Sequence, residues 1–489
     1  MYFQARFLFL FIIGTISANG IAQQLTGLQF SNFNGVHAIY TNPAGLADAR
    51  FKKHSNVFTT AVMFANDYAK LEMPFTFKQW IFGNVPEDNK NAEGKIDWQS
   101  SWIKENVNGK PKNLFLGLEN RGPAFMNRIG KNGAFAIATR TRSTFQLNQV
   151  AEPVIQFGKS LLDSQSVKLS SLADNRFTMN INAYQELSFS LARVVYNRKM
   201  HYLKIGGSAK YLIGLGSGYI VNNGIEFNAM GGDSVTIQKS DVSVGYTGGS
   251  ILKRFSGGIY QWALPSVSEI TGGGLGWDAG FIYEYRPNKT DRLTSANRYL
   301  YKLSVSLIDM GSVTYGKNAS TFRISNQVPV KIHVDSGFTA AFAHNLDSGI
   351  RFSRTFAQNN LNYEEGSGKI TSSIPSTVIM QLDWNLLKWF YLGINWNQAV
   401  ISRRKIALRQ PSSLIIIPRI ENKIVEFAVP LSLYNDYKNV GVGMFMRMGP
   451  IFFGTDNLIK SITGNSYSGL DFYLGVSTGL GSKKSKKQR

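Results

Sequence analysis

The stretch GWDAGFIYEYR, residues 276–286, changes character at every step. Trp277, Ala279, Phe281, Tyr283 and Tyr285 form one set, and Asp278, Gly280, Ile282, Glu284 and Arg286 the other. Successive side chains of an extended strand point to opposite faces, so a period of two puts each set on its own side of a sheet. Both faces are informative. One is apolar and aromatic; the other carries charge beside glycine, a poor filling for a shared dry core.

The same alternation recurs along the chain. In HYLKIGGSAKYLI (201–213), Leu203, Ile205, Gly207, Ala209, Tyr211 and Ile213 oppose Lys204, Gly206, Ser208 and Lys210. In KWFYLGINWN (388–397), Phe390, Leu392, Ile394 and Trp396 oppose Tyr391, Gly393, Asn395 and Asn397. In DFYLGVSTGLG (471–481), Phe472, Leu474, Val476 and Leu480 oppose Asp471, Tyr473, Gly475, Ser477 and Gly479. Turn-forming clusters such as GSGYIVNNG, RPNKTD, NLDSG and EEGSGK punctuate the segments. A soluble β-sandwich fills its core with bulky side chains from both sheets. Here the minor face is repeatedly Gly, Ser, Asn or a charge, which suits a wet lumen or a closely packed plug. Aromatic residues at strand ends (Tyr211, Tyr283, Tyr285, Trp384, Trp389, Phe390, Trp396, Tyr473) are placed for headgroup-level girdles. The pattern predicts an all-β fold: a closed antiparallel transmembrane β-barrel of about 14 strands, within 12–16. Closure is obligatory, because an open edge in hydrocarbon leaves backbone groups unpaired at several kcal/mol each.

The ends of the chain agree. MYFQARFLFLFIIGTISANGIAQQ has Arg6, an apolar run from Phe7 to Ile13, and small residues Gly20 and Ala22 before Gln23, the layout of a cleavable signal peptide over 1–22. No later apolar run reaches the roughly 20 residues of a spanning helix. Residues 23–55 read as an N-terminal periplasmic or plug segment, 56–480 as the barrel, 84–113 as a polar loop insert with a short helix at Trp98–Glu105, and 481–489 as a basic tail. Residues 150–175 are the best remaining helix candidate.

Composition narrows the function classes. Charged residues make up 17%, glycine numbers 47, and there is no cysteine, which excludes disulfides and thiolate zinc. The five histidines, at 37, 54, 201, 333 and 344, lack metal-site spacing. No HExxH or calcium-loop pattern and no GxSxG nucleophile elbow is present, the one GxSxG string (GVSTG, 475–479) lying within an alternating strand-like stretch, so neither an enzyme nor a cofactor is expected. His201 near a strand start is the position a rim hydrolase would use, but no partner residue accompanies it. The net charge of +22 fits anionic lipid headgroups, an anionic species in the lumen, or no specific ligand, and on an exported strand-rich chain it does not point to nucleic acid. Lys204, Lys210, Asp278, Glu284, Arg286, Lys302, His333, Glu426 and Arg447 share strand phase with small or polar residues and are the candidate lumen-facing set. Mixed charge inside a barrel either satisfies itself as a structural network or sets selectivity.

Asn42, Pro43, Ala44 and Gly45, in AIYTNPAGLADAR, follow the signal peptide and precede the first long strand. Pro43 fixes its own φ and keeps Asn42 extended, while Asn42 can cap the turn. The motif serves as a turn sealing the barrel bottom, or in gating and substrate contact. This region resembles the N-terminal part of FadL-type outer-membrane barrels. GPAF (122–125), GLGWDAGFIYEYRP (274–287), SLIDMGSVTY (306–315), MGPIFFGTDNLI (448–459) and LDFYLGVSTGL (470–480) resemble a Bacteroidota branch, the DUF5723-type outer-membrane proteins. The resemblance implies 14 strands in the outer membrane, a plugging hatch, and surroundings of lipid and lipopolysaccharide. It implies FadL-like passage of small hydrophobic compounds, with the alternative of a non-transporting barrel that scaffolds a surface or type IX secretion/gliding complex.

Overall fold

In the computed structural model, the described residues are 25–76, 79–80, 83–156, 172–229, 234–247, 269–287, 299–333, 354–387, 389–402, 406–456, 466–467 and 469–481. The expected signal peptide and most of the basic tail lie outside them. Fourteen antiparallel strands close into one barrel. They are β1 Phe51–Asn66, β2 Lys112–Ile129, β3 Gly133–Val150, β4 Leu172–Arg198 and β5 His201–Ala229. β6 is spliced from Ser234–Thr247 and Gly272–Tyr285, and β7 from Tyr301–Tyr315 and Ala319–Asn326. β8 joins Ile370–Ser373 to Thr377–Asn385; β9 is Phe390–Ala399 and β10 Ser413–Glu421. β11 joins Val425–Ala428 to Leu431–Tyr434, and β12 joins Asn439–Val442 to Met444–Met448. β13 is Ile451–Thr455 and β14 Gly469–Gly481. β1 pairs β2 on one side and β14 on the other, from Phe51↔Gly481 to Ala65↔Gly469, so no edge is left open.

The alternation read from sequence is the alternation of burial. On β5, Lys204, Ser208 and Lys210 are buried while Ile205 and Tyr211 are exposed. On β6, Asp278, Glu284 and Arg286 are buried while Trp277 and Phe281 are exposed. Exposed Leu187, Phe189, Leu191, Trp384 and Ile394 continue the apolar outer skin. Tyr473 departs from the girdle expectation. It is buried and stacks on Phe445, because it shares the inward phase of Asp471 and Gly475.

Tight turns join the strands at the end where β1 begins and β14 finishes: 130–132, 199–200, 422–424 and 449–450. The connections at the other end include the long 67–111 excursion. Short turns face the periplasm in such barrels and long loops face outward, which fixes the orientation.

Residues 67–111 supply two strands of a three-stranded sheet, Ala69–Glu72 and Ile103–Glu105, and Ser466–Tyr467 supplies the third. Beside it, Leu71, Met73, Phe75, Val85 and Trp102 form a core, with Trp80 and Trp98 packed on it. The expected helix at Trp98–Glu105 is instead a 3-10 turn, Ser100–Trp102, running into a strand. The three tryptophans meet edge to face, and that packing overrides the local preference. Of the helix expected at 150–175, residues 152–156 are helical and β4 has begun at Leu172.

Candidate functional site

The N-terminal segment, residues 25–50, touches strands on every side of the wall. Leu25, Leu28 and Phe30 pack with Met63, Phe115, Phe445 and Phe452. Val36, Ile39 and Leu46 pack on a bed of small side chains, Ala124, Ala134, Ala136 and Ala138, which leave room for them. The segment runs through three short helices, Thr26–Phe30, Gly35–Tyr40 and Pro43–Leu46. In the last, Asn42 is the N-cap, accepting from the Ala44 N–H at 3.0 Å, and Pro43 takes the first helical position, where a missing N–H costs nothing.

The Asn42 amide also holds the wall. Its Nδ2 lies 3.0 Å from the Phe281 carbonyl, 2.8 Å from the Ser304 hydroxyl and 3.1 Å from the Val305 carbonyl. Two wall glycines make this approach possible. A Cβ at Gly206 would overlap the Pro43–Ala44 backbone, and one at Gly280 would overlap the Asn42 side chain. A Cβ at Gly45 would crowd Ala38 of the preceding short helix. The glycine–charge alternation of the sequence is thus a mould: β5 presents Lys204, a hollow at Gly206, then Ser208 and Lys210.

Apart from Lys112, paired with Glu152 at 2.9 Å, and Asp456 with Asp471 beside Thr26, the buried charges fall into four groups. In the first, Lys204 pairs with Glu284 at 2.5 Å, and Arg286 bridges Glu284 to Asp48 of the N-terminal segment, 3.0 Å away, lying over the Tyr202 ring. In the second, Arg419 holds Asp383 through two bonds of 2.7 and 2.8 Å and contacts Glu421 at 3.1 Å. Lys302 reaches the same Asp383 at 3.2 Å, and Asn32 donates to Glu421. In the third, Arg447 pairs with Glu426 at 3.1 Å, and Ser31 donates to Glu426 at 2.6 Å.

The fourth and largest group spans the barrel. Arg140 binds Glu186 at 2.7 and 2.8 Å and Asp309 at 2.7 Å; Arg142 binds Asp309 at 2.6 Å and Glu119 at 3.0 Å; Arg121 binds Glu119 at 2.5 Å. Lys210 sits 2.7 Å from Asp278 and also contacts Asp309. Tyr40 of the N-terminal segment lies under Arg121 and Arg140, with guanidinium carbons 4.3 and 4.9 Å from its ring centre. Four cations face four carboxylates, so the group is neutral as a whole. Breaking one partner out of such a group strands a buried charge, at about 3–5 kcal/mol.

Asp309 reaches this group through a backbone irregularity. Leu307 pairs Ala279 and Met310 pairs Trp277, so β7 carries one extra residue. Asp309 adopts φ 58° and its N–H donates to Asp278 at 2.7 Å. The bulge inverts the phase: Ser304, Ser306 and Ile308 are buried before it, Asp309, Val313 and Tyr315 after it. Neighbouring strands break nearby. β5 carries an extra Leu215, β6 resumes at Gly272 after leaving the ladder at Thr247, and β8 is interrupted at 374–376. Just outward of the ion group, Tyr184, Leu212, Tyr219, Val313, Tyr315, Ile370, Ile374 and Leu408 form an apolar cluster.

Of the residues picked from sequence, Lys204, Glu284 and Arg286 meet in the first group, Lys302 joins the second, Glu426 and Arg447 make the third, and Lys210 and Asp278 join the fourth. His333 stands apart. It ends the short strand Val330–His333, opposite Ser234 at the outer end of β6, and its side chain lies outside the described residues. The sequence reading missed Arg140, Arg142, Glu119, Glu186, Asp309, Asp383 and Arg419. TRTR (139–142) was the available signal, with Arg140 and Arg142 two apart and hence on one face. Among the described residues no three His, Asp or Glu side chains converge as metal ligands. A cavity of about 70 Å³ remains between the N-terminal segment and the wall, lined by Asn42, Asp48, Lys204, Arg286, Lys302 and other polar groups.

A closed sheet with an apolar skin and a charge-filled interior is an outer-membrane β-barrel. Within that class the chain belongs to DUF5723, a family of unknown function, whose model matches residues 43–456. No curated protein matches it. Among solved structures it is similar to the toluene transporter TodX of P. putida (9% identity, TM-score 0.42, covering 92% of this chain and 95% of that one). It is also similar to the Ralstonia pickettii toluene transporter TbuX (8%, 0.40, 91% and 94%) and to a Pseudomonas aeruginosa FadL homologue (9%, 0.28, 95% and 100%).

Proposed function

We propose that this barrel passes small hydrophobic compounds across the outer membrane, with residues 25–50 as a plug in its lumen. The observation that carries the reading is the apolar cluster around Tyr184, Leu212 and Tyr315, set outward of the ion group and beside the interrupted strands. These side chains pack on one another, so an apolar solute arriving from outside enters among them as they part and is stabilised at about 25 cal/mol per Å² that it buries there. Charged and hydrated solutes gain nothing there. The ion group bars a straight path to the periplasm, so the solute leaves past the plug or sideways, where bulges and splices weaken the ladder between β5 and β8.

The test is uptake of radiolabelled toluene by cells with and without the gene. Deletion should lower uptake several-fold, and Leu212→Glu, at normal membrane abundance, should reproduce the loss. Equal uptake in the three strains ends this reading. A second reading, a barrel that scaffolds a surface or secretion assembly, is favoured by how completely charge and plug fill the interior. It predicts recovery of partner proteins after crosslinking in intact membranes, and a toluene uptake that ignores deletion.

A further inference from the structure

The +22 net charge is not spread evenly. The buried groups described above balance largely among themselves. At the periplasmic end the exposed charged side chains among the described residues are Lys52, Lys53, Lys131, Arg193, Arg198, Lys199 and Lys423, with no exposed carboxylate among them. Asp48 pairs with Arg286 and Glu421 with Arg419, both turned inward. The outer end differs: there Glu87, Glu93 and Asp241 accompany Lys90, Lys95 and Arg323 in ion pairs.

The cations concentrate where β3, β4 and β5 meet. On β4, Leu187, Phe189 and Leu191 are exposed on the lipid-facing side, and Arg193 continues that column one step nearer the periplasm. It stands opposite Gly133, two residues from Lys131, and Arg198 ends the same strand just before the 199–200 turn. Tyrosines of β6 and β7 lie beyond His201, the residue of β5 that stands opposite Arg198. His201 Nδ1 lies 2.6 Å from the Tyr283 hydroxyl, Tyr285 stacks on Tyr301 with centroids 5.2 Å apart, and the Tyr285 hydroxyl contacts the Met200 sulfur.

We propose that Lys131, Arg193 and Arg198, with the tyrosine ladder Tyr283–Tyr285–Tyr301, form a binding site for an anionic phospholipid of the inner leaflet. The phosphate sits among the three cations, where guanidinium groups bind it in charge-assisted pairs. The tyrosine hydroxyls meet the glycerol region, the depth at which amphipathic rings settle. The acyl chains run up Leu187, Phe189, Leu191 and Phe281. An acidic polypeptide would satisfy the charges, but it gives no account of why Arg193 extends a lipid-facing column.

The test uses the full chain in uncharged detergent, titrated with phosphatidylglycerol and with phosphatidylcholine and followed by native mass spectrometry. Phosphatidylglycerol should bind at least tenfold more tightly. Each basic residue near an anionic surface contributes about fivefold, so K131Q/R193Q/R198Q should bring the two lipids to within about twofold. K95Q/K104Q/K110Q, at the opposite end, should keep the preference. Heat-modifiable gel migration establishes that each variant is a folded barrel. If the triple variant does not fold, the wild type at 0.5 M salt serves in its place and should lose most of the preference. Equal binding of the two lipids by the wild type overturns the proposal. So does a preference that survives the triple variant or high salt, or displacement of the lipid by millimolar inorganic phosphate or by polyglutamate.

Discussion

Replacing Asn42 should release the N-terminal segment without opening the barrel. Its amide serves three acceptors at 2.8–3.1 Å, and its oxygen caps Ala44 at 3.0 Å. Two amide hydrogens shared among three acceptors amount to about two full bonds, and the cap adds a third. At about 1 kcal/mol each, with buried carbonyls left unpaired, Asn42→Ala costs about 3–4 kcal/mol. A factor of ten corresponds to about 1.4 kcal/mol, so the undocked fraction rises by two to three orders of magnitude. The chain has no cysteine, so a single Ala47→Cys reports docking cleanly: Ala47 is fully buried, and a maleimide reaches it only when the segment leaves. Labelling should speed up by two to three orders of magnitude in Asn42→Ala. It should speed up at least as much in Asn42→Asp, whose carboxylate would face two carbonyls. Rates within threefold of the parent in both variants would falsify the assignment of Asn42 as the clasp.

Gly206→Leu should produce the same rapid labelling with a folded barrel, because the added side chain occupies the place of the Pro43–Ala44 backbone. Arg419→Leu leaves Asp383 and Glu421 without their shared guanidinium and should destabilise the barrel by about 3–5 kcal/mol, read as a lower unfolding temperature on heat-modifiable gels. His37 is held well below the ordinary histidine value by burial, with His54 and Arg121 adding to it. The docked form therefore binds fewer protons than the released form. Docking should be strongest above about pH 6.5 and weaken as pH falls below it, and His37→Phe should make that dependence shallower in the Ala47→Cys labelling assay. Trp102→Ala should cost the small outer core about 3–5 kcal/mol and change tryptophan emission while the barrel's gel mobility holds.

Barrel closure and the two faces of β5, β6, β9 and β14 were legible because membrane strands obey a period of two, which survives in a single sequence. The strand-to-strand partners were not. Lys210 could be placed on an inner face from its neighbours, but nothing local says that Asp309 lies beside it. Asp309 was illegible for a definite reason. A bulge shifts the phase by one residue, so counting from Ser304 puts Asp309 on the lipid side, where a carboxylate would be costly. Its position on the wrong face by simple alternation was itself the available clue, with Gly311 two residues on. Tyr473 was misplaced because an aromatic near a strand end looks alike from either side; only the phase of Asp471 distinguishes them.

The extra residue at Asp309 also bears on how this gene tolerates changes in length. Excising one codon from the middle of a regular strand such as β9 turns every later side chain over. Excising codon 309 does not: Ser306 and Ile308 before it, and Val313 and Tyr315 after it, would keep their faces in a plain alternating strand. What is lost is an acceptor for Arg140, Arg142 and Lys210, so four cations would be left with three carboxylates. The additional codon is therefore retained for its carboxylate rather than for the geometry of the sheet. Natural relatives that are one residue shorter between Ser306 and Val313 should have exchanged one of those cations for a neutral side chain.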